Sequence, residues 1–257
     1  MASDSSLLYD LPAITLRRIS VSEMNNNVYL LTAKKSGVQV LIDAADDAGA
    51  IRSLLASAAT DTPCPLQLSA VLTTHAHWDH IRALEELLEA PAGAPVDGGS
   101  PSSTSASTAD AIDSPAPTGT GERPAARPES AAGAEDAVSI ESEKNVTIDR
   151  RLRHGDTVSY DGIALNVIHL RGHTPGSVAF VYPVEDGPTH IFTGDSLFPG
   201  GVGKTWSETD FSSLLDDVEA RLFDVYEDDT IIHPGHGDPT TLGAERAALP
   251  AWRERGW

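Results

Sequence analysis

The sequence predicts an α/β fold in which two β-sheets pack face to face with helices on their outer sides. Three observations lead there. Apolar, β-branched runs are interleaved with amphipathic helical patterns. Strands, helix, strand and helix recur in two successive sets, the order that suits a layered sandwich. The chain has 257 residues, 40% of them hydrophobic, enough for one large core, and a single domain over residues 1–257 is expected.

The first strands are Ile14–Val21, Val28–Thr32 and Val38–Ile42. Turn residues between them favour antiparallel pairing, so the chain opens as a β-meander. An aspartate-rich start leads into a helix over Asp46–Ala58, with Ile51, Leu54 and Leu55 at helical spacing, and Leu68–Thr73 follows as a buried strand. Ile81, Leu84, Leu87 and Leu88 then share one face of a second helix, opposite Arg82, Glu85, Glu86 and Glu89. From about 91 to 139 the composition shifts to Ser, Ala, Pro, Gly and Thr. Such a segment lacks the apolar surface that offsets ordering entropy, so a disordered insertion is expected there.

Strands resume near Val146–Ile148, Thr157–Tyr160, Ala164–Leu170, Val178–Tyr182 and His190–Thr193, with Asp161-Gly162 as a hairpin turn. Asp210–Phe223 reads as a helix that turns Phe211, Leu214, Leu215, Val218 and Leu222 to the core. Thr230–His233 is the last strand, and Thr241–Arg255 a closing helix interrupted near Pro250.

A formal charge of -20 repels phosphate backbones and anionic membrane surfaces. The expected partner is therefore a small-molecule substrate, with no nucleic acid and no membrane, on a monomer or homodimer. The single cysteine, Cys64, excludes an intramolecular disulfide. Met1–Pro12 lacks a basic start followed by an apolar run, and no stretch approaches the roughly 20 apolar residues of a membrane span. A cytoplasmic location is the expectation.

The chemistry is concentrated in His75-Ala76-His77-Trp78-Asp79-His80, three imidazoles and a carboxylate within six residues, between an apolar strand and a helix. Zinc takes histidine nitrogen and carboxylate oxygen at about 2.0–2.2 Å, so a tight cluster supplies several ligands but needs remote ones to close the shell. Three remote candidates follow later strands: His173 in Gly-His-Thr-Pro-Gly-Ser, Asp195 in Gly-Asp-Ser-Leu-Phe, and His236 in Pro-Gly-His-Gly. Glycine or proline flanks each, letting the backbone turn sharply. His154, His169, His190 and His233 stand outside these motifs. His154 and His190 read as ordinary strand or turn residues, whereas His169 and His233 lie close enough in sequence to orient ligands or line a pocket.

These four elements, in this order, resemble the metallo-β-lactamase superfamily over nearly the whole chain outside the 91–139 segment. The resemblance implies an αββα sandwich of two mixed β-sheets, with two metals at one sheet edge. Carried over position by position, His75, His77 and His173 would hold one metal, and Asp79, His80 and His236 the other. Asp195 would bridge both, and Asp79 would also be a catalytic carboxylate. Zinc is the expected metal, with iron or manganese as alternatives. Two adjacent cations lower the pKa of a shared water, so hydroxide can attack a carbonyl at neutral pH without a serine or cysteine nucleophile. One departure from many relatives is Ile81-Arg82-Ala83, where small residues or glycine often follow the signature; it is expected to alter a pocket wall rather than the metal count.

The glycine-rich stretch after Asp195 narrows the substrate. Gly201-Val202-Gly203-Lys204 resembles the loop of glyoxalase II enzymes in which a basic residue binds a carboxylate of a glutathione thioester, which makes Lys204 the candidate anchor and nearby Trp206 a second substrate contact. The chain ends soon after His236, so a short form without the helical C-terminal domain of longer glyoxalase II enzymes is expected. Thioester hydrolysis is favoured, with the thiol carrier open. The alternatives are an iron-dependent persulfide dioxygenase, a lactonase, and a noncatalytic metal-binding relative; the intact ligand set argues against the last.

Overall fold

The computed structural model describes residues 5–89 and 127–257. Its first half builds a seven-stranded sheet. Leu7–Asp10 (β1), Ile14–Val21 (β2), Asn26–Ala33 (β3) and Val38–Ile42 (β4) pair antiparallel in sequence order. Helix Ala48–Ser57 (α1) then returns the chain to Gln67–Thr73 (β5), parallel to β4. A 3₁₀ turn, Trp78–His80, leads into Leu84–Glu89 (α2). Glu129–Gly133 (β6), Ala137–Lys144 (α3) and Arg150–Leu152 (β7) complete the sheet by parallel addition.

The second half builds a six-stranded sheet. Thr157–Tyr160 (β8), Ile163–His169 (β9), Val178–Tyr182 (β10) and His190–Gly194 (β11) are antiparallel neighbours. Leu197–Phe198 (β12) and Gly201–Val202 (β13) form a separate small ribbon. Glu208–Val218 (α4), extended by a π-helical turn over Glu219–Phe223, precedes Ile231–Pro234 (β14), which is parallel to β11. Thr240–Thr241 (β15) closes that edge, and Leu242–Arg246 (α5) and Leu249–Arg255 (α6) end the chain.

The side-chain period of two explains why the sheets stack. On β3, Tyr29, Leu31 and Ala33 face the second sheet, while Val28 and Leu30 face α1; every residue of that strand is buried. Between the sheets, Leu16, Ile42 and Leu72 meet Val167, Phe180 and Phe192, each such burial contributing about 1.5–3 kcal/mol. Ile51, Leu87 and Ile140 cover the outer face of the first sheet, and Phe211, Leu215 and Trp252 that of the second. Asp47, Ser207 and Thr241 cap α1, α4 and α5 by accepting a bond from a first-turn N–H. The four-layer αββα order agrees with the expected fold class.

Several expectations need correction. Residues 127–139, assigned by composition to the insertion, contain β6 and the start of α3; the remainder of that segment lies outside the described residues. The strand expected at 146–148 is an irregular approach to β7. The closing helix breaks at 247–248, with Pro250 inside the first turn of α6, where its missing N–H costs nothing.

Candidate metal centre

The ends of β5, β9, β11 and β14 meet at one edge of the sandwich, and each delivers predicted ligands in the loop that follows. Strand-to-loop hydrogen bonds tie them together. Val178 N–H donates to Thr74 O at 2.8 Å across the two sheets, Gly235 N–H to Gly194 O at 2.8 Å, and Asn27 N–H to Gly235 O at 2.7 Å. The loops also approach too closely for side chains. A Cβ on Gly203 would lie 1.7 Å from the Asp195 carbonyl oxygen, and one on Gly235 would lie 2.2 Å from Asp195 Oδ1.

All seven predicted residues come together. Donor atoms of His75, His77 and His173 lie within 4.8 Å of one another, as do those of Asp79, His80 and His236. Asp195 stands between the triads: Oδ1 is 3.4 Å from His80 Nε2, while Oδ2 is 3.6 Å from His173 Nε2 and 3.4 Å from His236 Nε2. Each of four imidazoles is held through Nδ1, leaving Nε2 to face inward. His80 Nδ1–H donates to Asp43 Oδ2 at 2.9 Å, His173 Nδ1–H to Lys204 O at 2.7 Å, and His236 Nδ1–H to Met24 O at 2.8 Å. Thr74 Oγ donates to Asp43 Oδ2 at 2.8 Å, so it accepts from His75 Nδ1–H at 3.0 Å.

The donor set fits divalent cations. His75 Nε2, His173 Nε2 and Asp195 Oδ1 are buried without a hydrogen-bond partner, a costly arrangement unless something else satisfies them. Burial and the neighbouring imidazoles hold His75 well below its ordinary pKa, and burial likewise lowers His77 and His173. Burial also disfavours charge on His80 and His236, yet the facing carboxylates, Asp195 with Asp43 or Asp79, outweigh it and push both up to about 10. The carboxylates thus create a strong demand for positive charge at the second triad, which is the demand a cation meets. Burial opposes ionisation of Asp195, but His236 and His80 hold it well below the usual carboxylate range.

Residues outside the predicted set complete the site. Asp43, which directly follows β4 with φ 60°, receives Thr74 N–H at 2.8 Å as well as the two side chains above. Asp136 lies just before α3 and accepts from Ala76 N–H at 2.9 Å, Thr174 Oγ at 2.5 Å and Gly176 N–H at 2.7 Å, clamping the loops of His75–His77 and His173. Asn26 reaches Asp79 from β3. The signal for Asp43 and Asp136 is positional, each carboxylate following a strand parallel to β5. Lys204 and Trp206 both stand exposed at the rim: Lys204 Nζ lies 4.4 Å above the Trp206 ring, whose Nε1–H donates to His173 O at 3.2 Å. His169 bonds Pro175 O at 2.8 Å beneath the His173 loop, and His154 is an exposed turn residue. His233 is not at the site; it pairs with His190 between the sheets at 2.8 Å. Ile81 is buried in the core, and Arg82 stacks 3.9 Å over Trp78, so the departure after the signature shapes the rim through Arg82 alone.

An αββα sandwich presenting an all-histidine triad and an Asp/His triad around a shared carboxylate defines a class of metal-binding fold. The family model described as metallo-β-lactamase superfamily matches residues 21–236. The chain belongs to that superfamily. A relative named hydroxyacylglutathione hydrolase GloC, from Haemophilus influenzae, is 37% identical over 99 residues, covering 38% of this chain and 45% of its own. A hydroxyacylglutathione hydrolase from Fuscovulum blasticum is 30% identical over 185 residues, covering 72% and 53%. The chain thus spans about half the length of these curated relatives. Among solved structures, TTHA1623 in a di-iron-bound form superposes with a TM-score of 0.55 at 26% identity, covering 89% of this chain and 96% of its own. Among the described residues, no helix is long and apolar enough to cross a membrane.

Proposed function

We propose that this chain is a metal-dependent hydrolase acting on a thioester whose far end carries a carboxylate. The observation that carries the proposal is the pairing of two metal-competent triads around Asp195 with Lys204, whose own carbonyl anchors His173. The names of the curated relatives support a hydroxyacylglutathione-type thioester, with the thiol carrier open. Two divalent cations, zinc or in its place iron or manganese, would be held by His75, His77 and His173, by Asp79, His80 and His236, and by Asp195 between them; when bound they supply Lewis acidity and lower the pKa of water to near neutrality.

The chain's own residues set how substrate meets that centre. Lys204 binds the anionic end of the substrate, and Trp206, perpendicular to His77 at 6.3 Å between ring centres, gives its apolar body a surface. Burial works against ionisation of Asp79, but His236 and Asn26 hold its carboxyl well below the usual range, so it offers an anionic oxygen at the centre. Thr74 and Asp43 keep the His75 and His80 rings fixed during turnover.

The test combines metal analysis with kinetics. Protein purified without added metal should carry about two divalent ions per chain and hydrolyse thioesters. Lys204→Ala should keep its metals, raise KM for a carboxylate-bearing thioester and lower kcat/KM about 10–100-fold, the loss of one charge-assisted hydrogen bond of roughly 1.5–3 kcal/mol. A neutral thioester should lose almost nothing. One iron per chain, with oxygen consumed on adding a persulfide, would overturn the hydrolase. Equal handling of charged and neutral thioesters by Lys204→Ala would remove the anchor.

A further inference from the structure

Asn26, the first residue of β3, is fully buried against the second triad. Its Nδ2 donates to Asp79 Oδ2 at 2.9 Å and lies 3.5 Å from both His80 Nε2 and His236 Nε2. Those imidazole nitrogens are 3.2 Å apart, and Asp79 Oδ2 is 3.7 Å and 3.4 Å from them. The three triad atoms therefore stand 3.2–3.7 Å apart, with the amide nitrogen over the face they form. Donors at about 2.0–2.2 Å from one tetrahedral centre stand roughly 3.3–3.6 Å apart, so the triad is held close to the spacing a cation requires, while the amide N–H packs against the triad without occupying a coordination position.

The amide's orientation is fixed by its other end. Ser22 Oγ donates to Asn26 Oδ1 at 2.6 Å. Turning the amide over would set its oxygen against Asp79 Oδ2, two acceptors face to face without a proton between them. Nitrogen faces Asp79, and an amide N–H is a donor with no lone pair to give a metal. His80 and His236 have separate anchors in Asp43 and the Met24 carbonyl; Asn26 is the anchor of Asp79.

We propose that Asn26 is the positioning residue of the second metal position: by holding Asp79 at cation spacing from His80 and His236, it sets whether the chain carries one metal or two. The inference rests on the two-metal reading above. Ser22, at φ 65°, supports it by fixing the amide.

Metal-free parent, Asn26→Ala, Asn26→Asp and Ser22→Gly are titrated with cobalt(II), following heat and visible absorption so that each position is read separately, with circular dichroism to check folding. The parent should take up two ions. Asn26→Ala should keep parental affinity for the first and bind the second about 10–100-fold more weakly, the usual cost of losing a ligand's hydrogen-bond partner. Asn26→Asp should weaken it too, because it removes the N–H and opposes two carboxylates. Ser22→Gly, whose backbone conformation glycine accepts readily, should fold normally and weaken the second ion alone, which keeps the test decisive if Asn26→Ala does not fold. A parent that takes up fewer than two ions overturns the two-metal reading and this inference with it. A two-ion parent with unchanged second-ion affinity in Asn26→Ala and Ser22→Gly overturns the inference alone. So does tighter second-ion binding by Asn26→Asp, which would make residue 26 a ligand.

Discussion

At the scale of single residues, carboxylates outside the seven clustered side chains decide how well those seven are held. Asp136 accepts three hydrogen bonds from the two loops that carry His75, His77 and His173. Burial raises its pKa despite those bonds, so the site spends stability to keep an acceptor there. Asp136→Ala leaves buried donors unpaired, at about 1–3 kcal/mol. The expected result is a lower unfolding temperature, by roughly 2–4 °C per kcal/mol in a domain of this size, with the first ion bound about 10–100-fold more weakly. Calorimetry and cobalt titration check it; unchanged affinity for the first ion would mean that Asp136 braces the fold and not the ligands. The cluster that the structure assembles is legible because three histidines and an aspartate crowd into six residues after an apolar strand, with His173, Asp195 and His236 flagged by the glycines beside them. Asp136, Asp43 and Asn26 are not, since each acts on a partner 31 to 60 positions away, a relation that no local spacing encodes.

At the scale of elements, long apolar runs mark their strands and helices to within two residues or so, whereas β1, β6 and α3, which lack such runs, are not legible. The sequence of β6, Glu-Ser-Ala-Ala-Gly, has no large side chain. The reason is its position: it lies between β5 and β7, with Ala131 facing the inter-sheet core and Ala132 facing the helices. Gly133 is tighter still, where a Cβ would meet the Gly176 carbonyl oxygen at 1.9 Å. Small residues are what such a crowded strand needs, and they share the composition of a linker. The consequence is a sharp boundary for excision. Replacing residues 97–120 with a short Gly/Ser bridge should preserve cooperative unfolding and metal content, because loop-closure entropy changes slowly with length. Extending the deletion to 135 removes β6 and leaves β7 without its sheet neighbour, so cooperative unfolding should be lost. Two deletion variants compared by thermal denaturation decide this, and a stable longer deletion would show that β6 is dispensable.

At the scale of the whole molecule, acid stability should depend on a polar pair sealed between the sheets. His190 on β11 and His233 on β14 are buried and share a 2.8 Å hydrogen bond, ringed by Tyr9, Tyr29 and Phe192. Burial pushes His190 down to about 4; burial, then the charge repulsion of His190 and Arg18, holds His233 well below its ordinary value. Both rings are therefore neutral in the folded protein near pH 7, whereas in the unfolded chain they titrate near 6.5. The sign follows from linkage: as pH falls below about 6.5 the unfolded state takes up protons that the folded state refuses. The pair's contribution is complete above that pH and is lost progressively toward pH 4, at up to about 1.4 kcal/mol per pH unit for each proton. Urea unfolding of metal-free protein in chelator, from pH 7 to 4, should show this decline in the parent. The double variant His190→Phe/His233→Leu should show a flatter slope over the same window, whatever its stability at pH 7, because the titrating imidazoles and carboxylates of the candidate metal centre are common to both proteins. Parallel slopes would mean that the folded pair accepts protons between the sheets.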